Sequence, residues 1–451
     1  MRRALFLTAL AVALLAFAAP AGAATQQLTY TYGPVTLSPF EVDQGTAFGI
    51  PKPSVDGAIT HMEAEVVDAE GNKISPKLLM LHHVVFLNLG EPSKFDHHDW
   101  TCSTFTGLDN KTKLPALADR FYAAGEERNK LDLPAGYGYP VKGDDSWIVT
   151  WMFMNHHNAT HKAYIQYKIT YETGPVTPAY MIWLDVKNCL SDPVYDVPGG
   201  GGPGSIHSKS TSWTATQPGR IIAGGGHLHG GGKSIVLSQP DCGNREIFAS
   251  RPLYGLPSND FYNVFPILHE PGPINMSGFE TAAGIPVTRG QKLAITANYD
   301  NSRPHVRVMG IYGVYFAPDP AVTASCAPLP PLQTIASSEP GRTEPPPFKV
   351  PLTRKPKGKL RKLGRRATIR VTDAGYAKER VRVRRGTKLR WKFGGLGLHN
   401  VTVANGPRGF SSPNLSGNRS YRVKLTKPGR YQLFCTLHPM TMTAEVRVTK
   451  R

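Results

Sequence analysis

Short apolar runs, separated by glycine, proline and polar turns, dominate the chain, and few stretches repeat apolar residues at helical spacing. Residues 78–89 (LLMLHHVVFLNL) are almost all apolar, which predicts a strand buried on both faces. Ala163, Ile165, Tyr167, Ile169 and Tyr171 alternate with Tyr164, Gln166, Lys168 and Thr170, the period of a half-buried strand. Further strands are predicted over residues 147–155, 179–186, 234–237, 292–297 and 306–316, and AEVVDAEGNKI reads as two strands joined by a turn at Glu70-Gly71-Asn72. The strongest helix candidate is residues 111–129, limited by Pro115 and Gly125. The fold class predicted from this pattern is all-β.

At 451 residues the chain is too long for one ordinary domain. Its 40% hydrophobic content and six Trp supply real cores, while 45 Gly and 39 Pro fit many turns. Arg2-Arg3, an apolar run over residues 4–19, Pro20 and Ala21-Gly22-Ala23 read as an export signal over residues 1–23, so the protein is expected to be secreted or periplasmic, with a mature start near Ala24; a retained membrane anchor is the alternative, disfavoured because the apolar run is short for a full span. The glycine run at 198–204 suggests a junction between domains at 24–200 and 201–318. A proline-rich linker is expected over 319–359, followed by a last domain of short strands over 360–451. The net charge of +19 is concentrated in residues 349–392, where the acids are Asp373 and Glu379 alone. Such a surface favours anionic partners such as cell-wall polymers, lipid headgroups or an acidic redox partner, or serves solubility. It lacks an aromatic platform for bases, which argues against nucleic acid. Of five cysteines, Cys102, Cys189, Cys242 and Cys326 suit two disulfides in an oxidising compartment, with three connectivities open.

Histidine pairs carry the chemistry. In GGGHLHGGG, His227 and His229 project to one side of an extended strand and form a ready chelate, and the flanking glycines leave a ligand uncrowded. His82 and His83 are neighbours on a strand, so both reach one metal only where that strand is bulged or ends. His156-His157 closes another apolar strand, and Met309 shares a face, by alternation, with His305 and Arg307. A thioether with two imidazoles favours cuprous copper. His97-His98 read as solvated, and His269 and His305, beside prolines, as loop histidines. In the last domain, His399 and the run YQLFCTLHPMTM bring Cys435 and His438 together with Met440 or Met442. One thiolate, two imidazoles and a weak thioether make a blue-copper site. The sequons at Asn158 and Asn400 adjoin these ligands and read as accidental, which fits a bacterial exported protein. There is no G-x-S-x-G element and no Ser-His-Asp constellation, so hydrolysis is disfavoured.

Adjacent histidines, a histidine closing a strand, then H-x-H and a late Met, in that order over about residues 26–318, are similar to the copper type II, ascorbate-dependent monooxygenases. That family includes peptidylglycine α-hydroxylating monooxygenase and dopamine β-hydroxylase. The resemblance implies two tandem jelly-roll-like β-sandwiches facing each other over a solvent-filled cleft. It implies an electron-transfer copper on His82, His83 and His156 or His157, and a catalytic copper on His227, His229 and Met309. It also implies dioxygen, ascorbate or another reductant, and a small-molecule or peptide substrate hydroxylated at an activated C–H bond. The chain has fewer cysteines than the better-known members and none of their recognisable substrate contacts, so the substrate is not implied. Residues 360–451 resemble the cupredoxins, as in plastocyanin and amicyanin, which implies a Greek-key β-sandwich with a type 1 copper on His399, Cys435, His438 and Met442. Two functions follow. One is a secreted copper monooxygenase with a tethered cupredoxin. The other is a non-enzymatic copper-binding electron carrier in which the cupredoxin alone is redox-active.

Overall fold

The computed structural model describes residues 24–90, 119–187 and 193–450. The expected export signal, His97, His98, Cys102 and Cys189 lie outside the described residues. The fold is all-β, with strands in three successive sandwich-like units.

In the first unit, one sheet runs in the order Thr25–Leu37, His161–Glu172, Gly57–Val67, Tyr137–Val141, and the other in the order Val42–Phe48, Trp147–Asn155, Leu79–Asn88, Asp119–Gly125. Ala163, Ile165, Tyr167, Ile169 and Tyr171 are all fully buried, as their alternation predicts. Phe121 stacks on Tyr139 between the sheets, with Trp147 against it. The helix expected over 111–129 is not what forms in its described part: Asp119–Gly125 is a strand paired with Leu79–Asn88. Apolar Phe121, Tyr122 and Ala124 gain more from burial in that sheet than from local helix propensity.

The second unit begins earlier than the glycine run suggests. Tyr180–Asp185 pairs with Gly310–Pro318, and Tyr195–Val197 pairs with His305–Val308, so both strands ahead of residue 200 belong to the second sandwich. Its main sheets follow the orders Tyr180–Asp185, Gly310–Pro318, Gly219–Leu228, Gly278–Val287, Gln333–Ile335 and Ile206–Thr214, Lys292–Asp300, Gly232–Gln239, Arg245–Ser250. The expected linker is partly sheet: Gln333–Ile335 pairs with Gly278–Val287, and Gly341–Arg342 with Pro252–Gly255. Cys242 and Cys326 form a disulfide that ties the start of this linker back to the sandwich.

The two sandwiches share apolar packing. Met181, Trp183, Ile222, Ile311 and Tyr315 of the second pack in one continuous buried cluster with Phe121, Tyr139 and Trp147 of the first. A contact of this kind fixes the relative placement of the two units and everything mounted on them.

In the third unit, Arg361–Lys362, Arg380–Arg384, Thr443–Thr449, Gly429–Phe434 and Thr402–Asn405 form one sheet, and Gly375–Tyr376, Arg366–Thr372, Lys388–Phe393 and Ser420–Lys424 the other. Three of the pairings, Arg361–Lys362 with Arg380–Arg384, Arg366–Thr372 with Lys388–Phe393 and Arg380–Arg384 with Thr443–Thr449, are parallel. The unit is clamped in place. Asp196 of the second unit accepts hydrogen bonds from the Ser411 backbone N–H (2.7 Å) and hydroxyl (2.6 Å) and from the Arg307 N–H (3.1 Å). Arg354 of the linker makes a two-pronged contact with Glu379 at 2.6 and 2.8 Å.

Candidate metal centres

Cys435 directly follows the strand Gly429–Phe434, and the turn after it folds back so that the Cys435 N–H donates to the Met442 carbonyl at 3.0 Å. The turn brings His438 Nδ1 to 3.6 Å from Cys435 Sγ and 3.2 Å from His399 Nδ1. Asp373 accepts a hydrogen bond from His399 Nε2 at 2.8 Å, which leaves Nδ1 as the ring's lone-pair nitrogen facing the other two. The Asn400 N–H points at Cys435 Sγ at 3.4 Å. Burial pushes the free Cys435 thiol up, whereas burial and neighbouring His399 push His438 down. Cys435 and His399 are buried and His438 is exposed, so one imidazole edge of the cluster reaches the surface. Met442 is buried in the core of this unit, but Met440 points elsewhere, into a cluster with Val42, Met80, Met152 and Met154 of the first sandwich and Phe261 and Leu268 of the second.

A second candidate centre lies between the first two units. The pairing of Leu79–Asn88 with Trp147–Asn155 shifts register between Leu81 and His83. This is the irregularity two adjacent histidines need, and both line the same cleft of about 2320 Å³ with His227, His229, His269 and Met309. The Tyr299 hydroxyl joins two of these elements, accepting from the His229 N–H at 2.8 Å and donating to the Met309 carbonyl at 2.5 Å. Strict alternation fails near Met309, because Arg307 has a φ of 54°. His305 is therefore fully buried against Glu270 and Asp300, away from Met309 in the cleft.

The histidines are closer than two centres facing each other across solvent would place them. The His82 ring lies 5.1 Å from His229, 4.8 Å from His269 and 5.5 Å from His83, and His227 lies 5.1 Å from His229. Two adjacent glutamates, which motif spacing does not single out, hold this group. Glu127 accepts from His227 Nδ1 at 2.8 Å, and Glu126 accepts from His82 Nδ1 at 2.6 Å and also contacts His269 Nε2. Burial lowers His82 and His229, and burial with the nearby His82 pushes His83 down to about 3. His227 goes the other way, since Glu127 outweighs the effect of burial.

His156 is buried, donates Nδ1–H to the Pro266 carbonyl at 2.9 Å, and is pushed down to about 4 by burial. Its alternate, His157, is exposed and faces His161 at 3.0 Å. Among the described residues, groups of three or more His, Cys, Asp or Glu ligand atoms within 4.8 Å of one another are His399, Cys435, His438 and His82, Glu126, His269. His83 and His156 fall outside both groups. Neutral imidazoles with open lone pairs are what a metal requires. Among the described residues the buried His156 Nε2, His229 Nε2 and His269 Nδ1 have no hydrogen-bond partner.

No protein-family model matches the chain. Part of the chain is similar to amicyanin-alpha of Methylorubrum extorquens, at 30% identity over 74 residues, 16% of this chain and 62% of that protein. The chain thus spans about three fifths of that relative's length. Among solved structures, a copper(I) amicyanin variant is 22% identical with a TM-score of 0.17, covering 18% of this chain and 80% of that one. A purple cupredoxin from Nitrosopumilus maritimus is 20% identical with a TM-score of 0.17, covering 18% of this chain and 99% of that one.

Proposed function

We propose that the chain is an exported copper oxidoreductase, in which a blue-copper domain serves a two-sandwich unit that hydroxylates an activated C–H bond with dioxygen. The observation that carries this is the docking of the thiolate loop: Met440, two residues past His438, packs with Met154, two residues ahead of His156. Copper held in that domain would be placed to pass electrons to the histidine cleft without a bimolecular encounter.

In the last unit, Cys435, His399, His438 and Met442 would hold the metal, with Asp373 fixing the His399 tautomer. In the cleft, His227, His229 and Met309 would hold a second copper, and the first sandwich's histidines a third. Glu127 keeps His227 Nδ1 occupied, so Nε2 is the nitrogen left for a ligand role. Bound copper would supply one-electron chemistry at each place and dioxygen activation beside Met309. Met181, Trp183, Ile311 and Tyr315 give the cleft an apolar wall that excludes water from a C–H substrate. The amicyanin similarity supports a second reading, an electron carrier in which the last unit alone is redox-active.

Copper per purified chain, with the visible spectrum before and after ascorbate, separates the two. About three coppers, one of them blue, with ascorbate-driven dioxygen consumption that Met309→Ala abolishes while the blue band stays, is the enzyme's result. One blue copper and no dioxygen consumption is the carrier's.

A further inference from the structure

The carboxylate of Glu126 is nearly inaccessible, its side chain 4% exposed, at the meeting point of two domains. One of its oxygens, Oε1, faces His82 Nδ1 from the first sandwich at 2.6 Å and His269 Nε2 from the second. The other, Oε2, accepts the Gly272 N–H at 2.8 Å, in the same loop as His269. The three residues come from positions 44 and 143 apart in sequence. A buried carboxylate is costly unless compensated, and here the compensating groups are two imidazoles rather than a lysine or arginine. Beside them are buried ring nitrogens, His269 Nδ1 and His229 Nε2, without hydrogen-bond partners among the described residues.

We propose that His82, Glu126 and His269 form a divalent-metal site that staples the first sandwich to the second. Two imidazoles and one carboxylate, with no sulfur, suit borderline divalent ions such as zinc(II), cobalt(II) or copper(II). The proposal rests on the reading of the cleft as a metal centre and alters one ligand set within it. Glu126 and His269 take the places that the family resemblance gives to His83 and His156. His269 is also the residue through which the second sandwich would sense occupancy in the first, because a ligand that binds only the docked arrangement stabilises it in proportion to its saturation.

The test is zinc(II) binding to the full chain carrying Cys435→Ser, which removes the thiolate site. Bound zinc is counted after equilibrium dialysis, and thermal melting is followed with and without the ion. His269→Ala and Glu126→Gln should each lose one equivalent, or weaken it more than 100-fold, and lose the zinc-dependent rise in Tm. His156→Ala should keep both. Glu126→Gln retains the side chain's volume and a hydrogen-bonding carbonyl, and circular dichroism checks that it folds. If His269→Ala and Glu126→Gln keep the full equivalent, or His156→Ala loses it instead, the proposal is wrong. Dioxygen consumption by the copper-loaded chain without substitutions reports separately on the enzyme reading. Loss of that activity with zinc counts as expected would remove the monooxygenase and leave the staple.

Discussion

Two methionines two residues apart have opposite surroundings, and the difference sorts their roles. Met442 is 2% exposed within the last unit, beside Cys435, while Met440 lies among Met80, Met152 and Met154 of another domain. An axial thioether tunes the colour and potential of a blue-copper centre. Met442→Ala should therefore shift the visible band and the reduction potential of the copper-loaded chain. Met440→Ala should leave the band in place and make the last unit easier to release by limited proteolysis. Matching band shifts in the two variants would contradict the assignment. The preference for Met442 came from the cupredoxin resemblance, in which the Met also lies just before the final strand, and burial of Met442 in one cluster with Cys435 is compatible with it. Glu126, Glu127 and His269 were not legible in the sequence. Their partners lie 44, 100 and 143 residues away, and no local period marks a carboxylate whose role is set by a domain contact. The only local sign was the pair of acids directly after Gly125.

At the scale of the element, the glycines around His227 and His229 do more than leave a ligand uncrowded. Gly231 has a φ of +86°, and a Cβ there would come within 2.1 Å of the His305 ring. Left-handed backbone at a residue with a side chain costs about 1–3 kcal/mol before any clash. Gly231→Ala should lower Tm by several degrees and disturb the buried His305–Glu270 pair, and an unchanged melting curve would show that the turn relaxes. Gly125 has a related role across the domain boundary, since a Cβ there would meet His227 at 2.7 Å and Glu127 at 2.3 Å. The histidine strand itself was legible, including its need for an irregularity. The strand Asp119–Gly125 was not, because its pairing with Leu79–Asn88 is decided by the sheet and not by the preferences of residues 111–129.

For the whole molecule, the proline-rich segment decides whether three units act as one. Composition predicts an extended spacer, and the segment is extended, but it is bound along its length. The Val350 carbonyl accepts from Asn405 Nδ2 at 2.5 Å, Thr353 contacts the Pro439 carbonyl, and Arg354 grips Glu379. Asp373 and Glu379, the two acids within the basic stretch, therefore both have structural tasks, one orienting His399 and the other anchoring the linker. Burial alone would raise the Glu379 carboxyl, but its bonds to Arg354 and to the Lys357 N–H outweigh this and hold it below the ordinary value of 4.5. A carboxylate lowered in the folded state adds stability above its unfolded value and loses it as pH falls through the folded one. The anchor should consequently stay closed from neutral pH down to about 4.5 and open below it. Hydrogen-exchange protection of the Lys357 amide, corrected for intrinsic rates, should drop over that acidic range and nowhere above it. In Glu379→Gln the same amide should be less protected at neutral pH, with no further loss attributable to this site on acidification. If the substituted chain kept the full acid transition, the grip on Glu379 would not be what fastens the linker to the last unit.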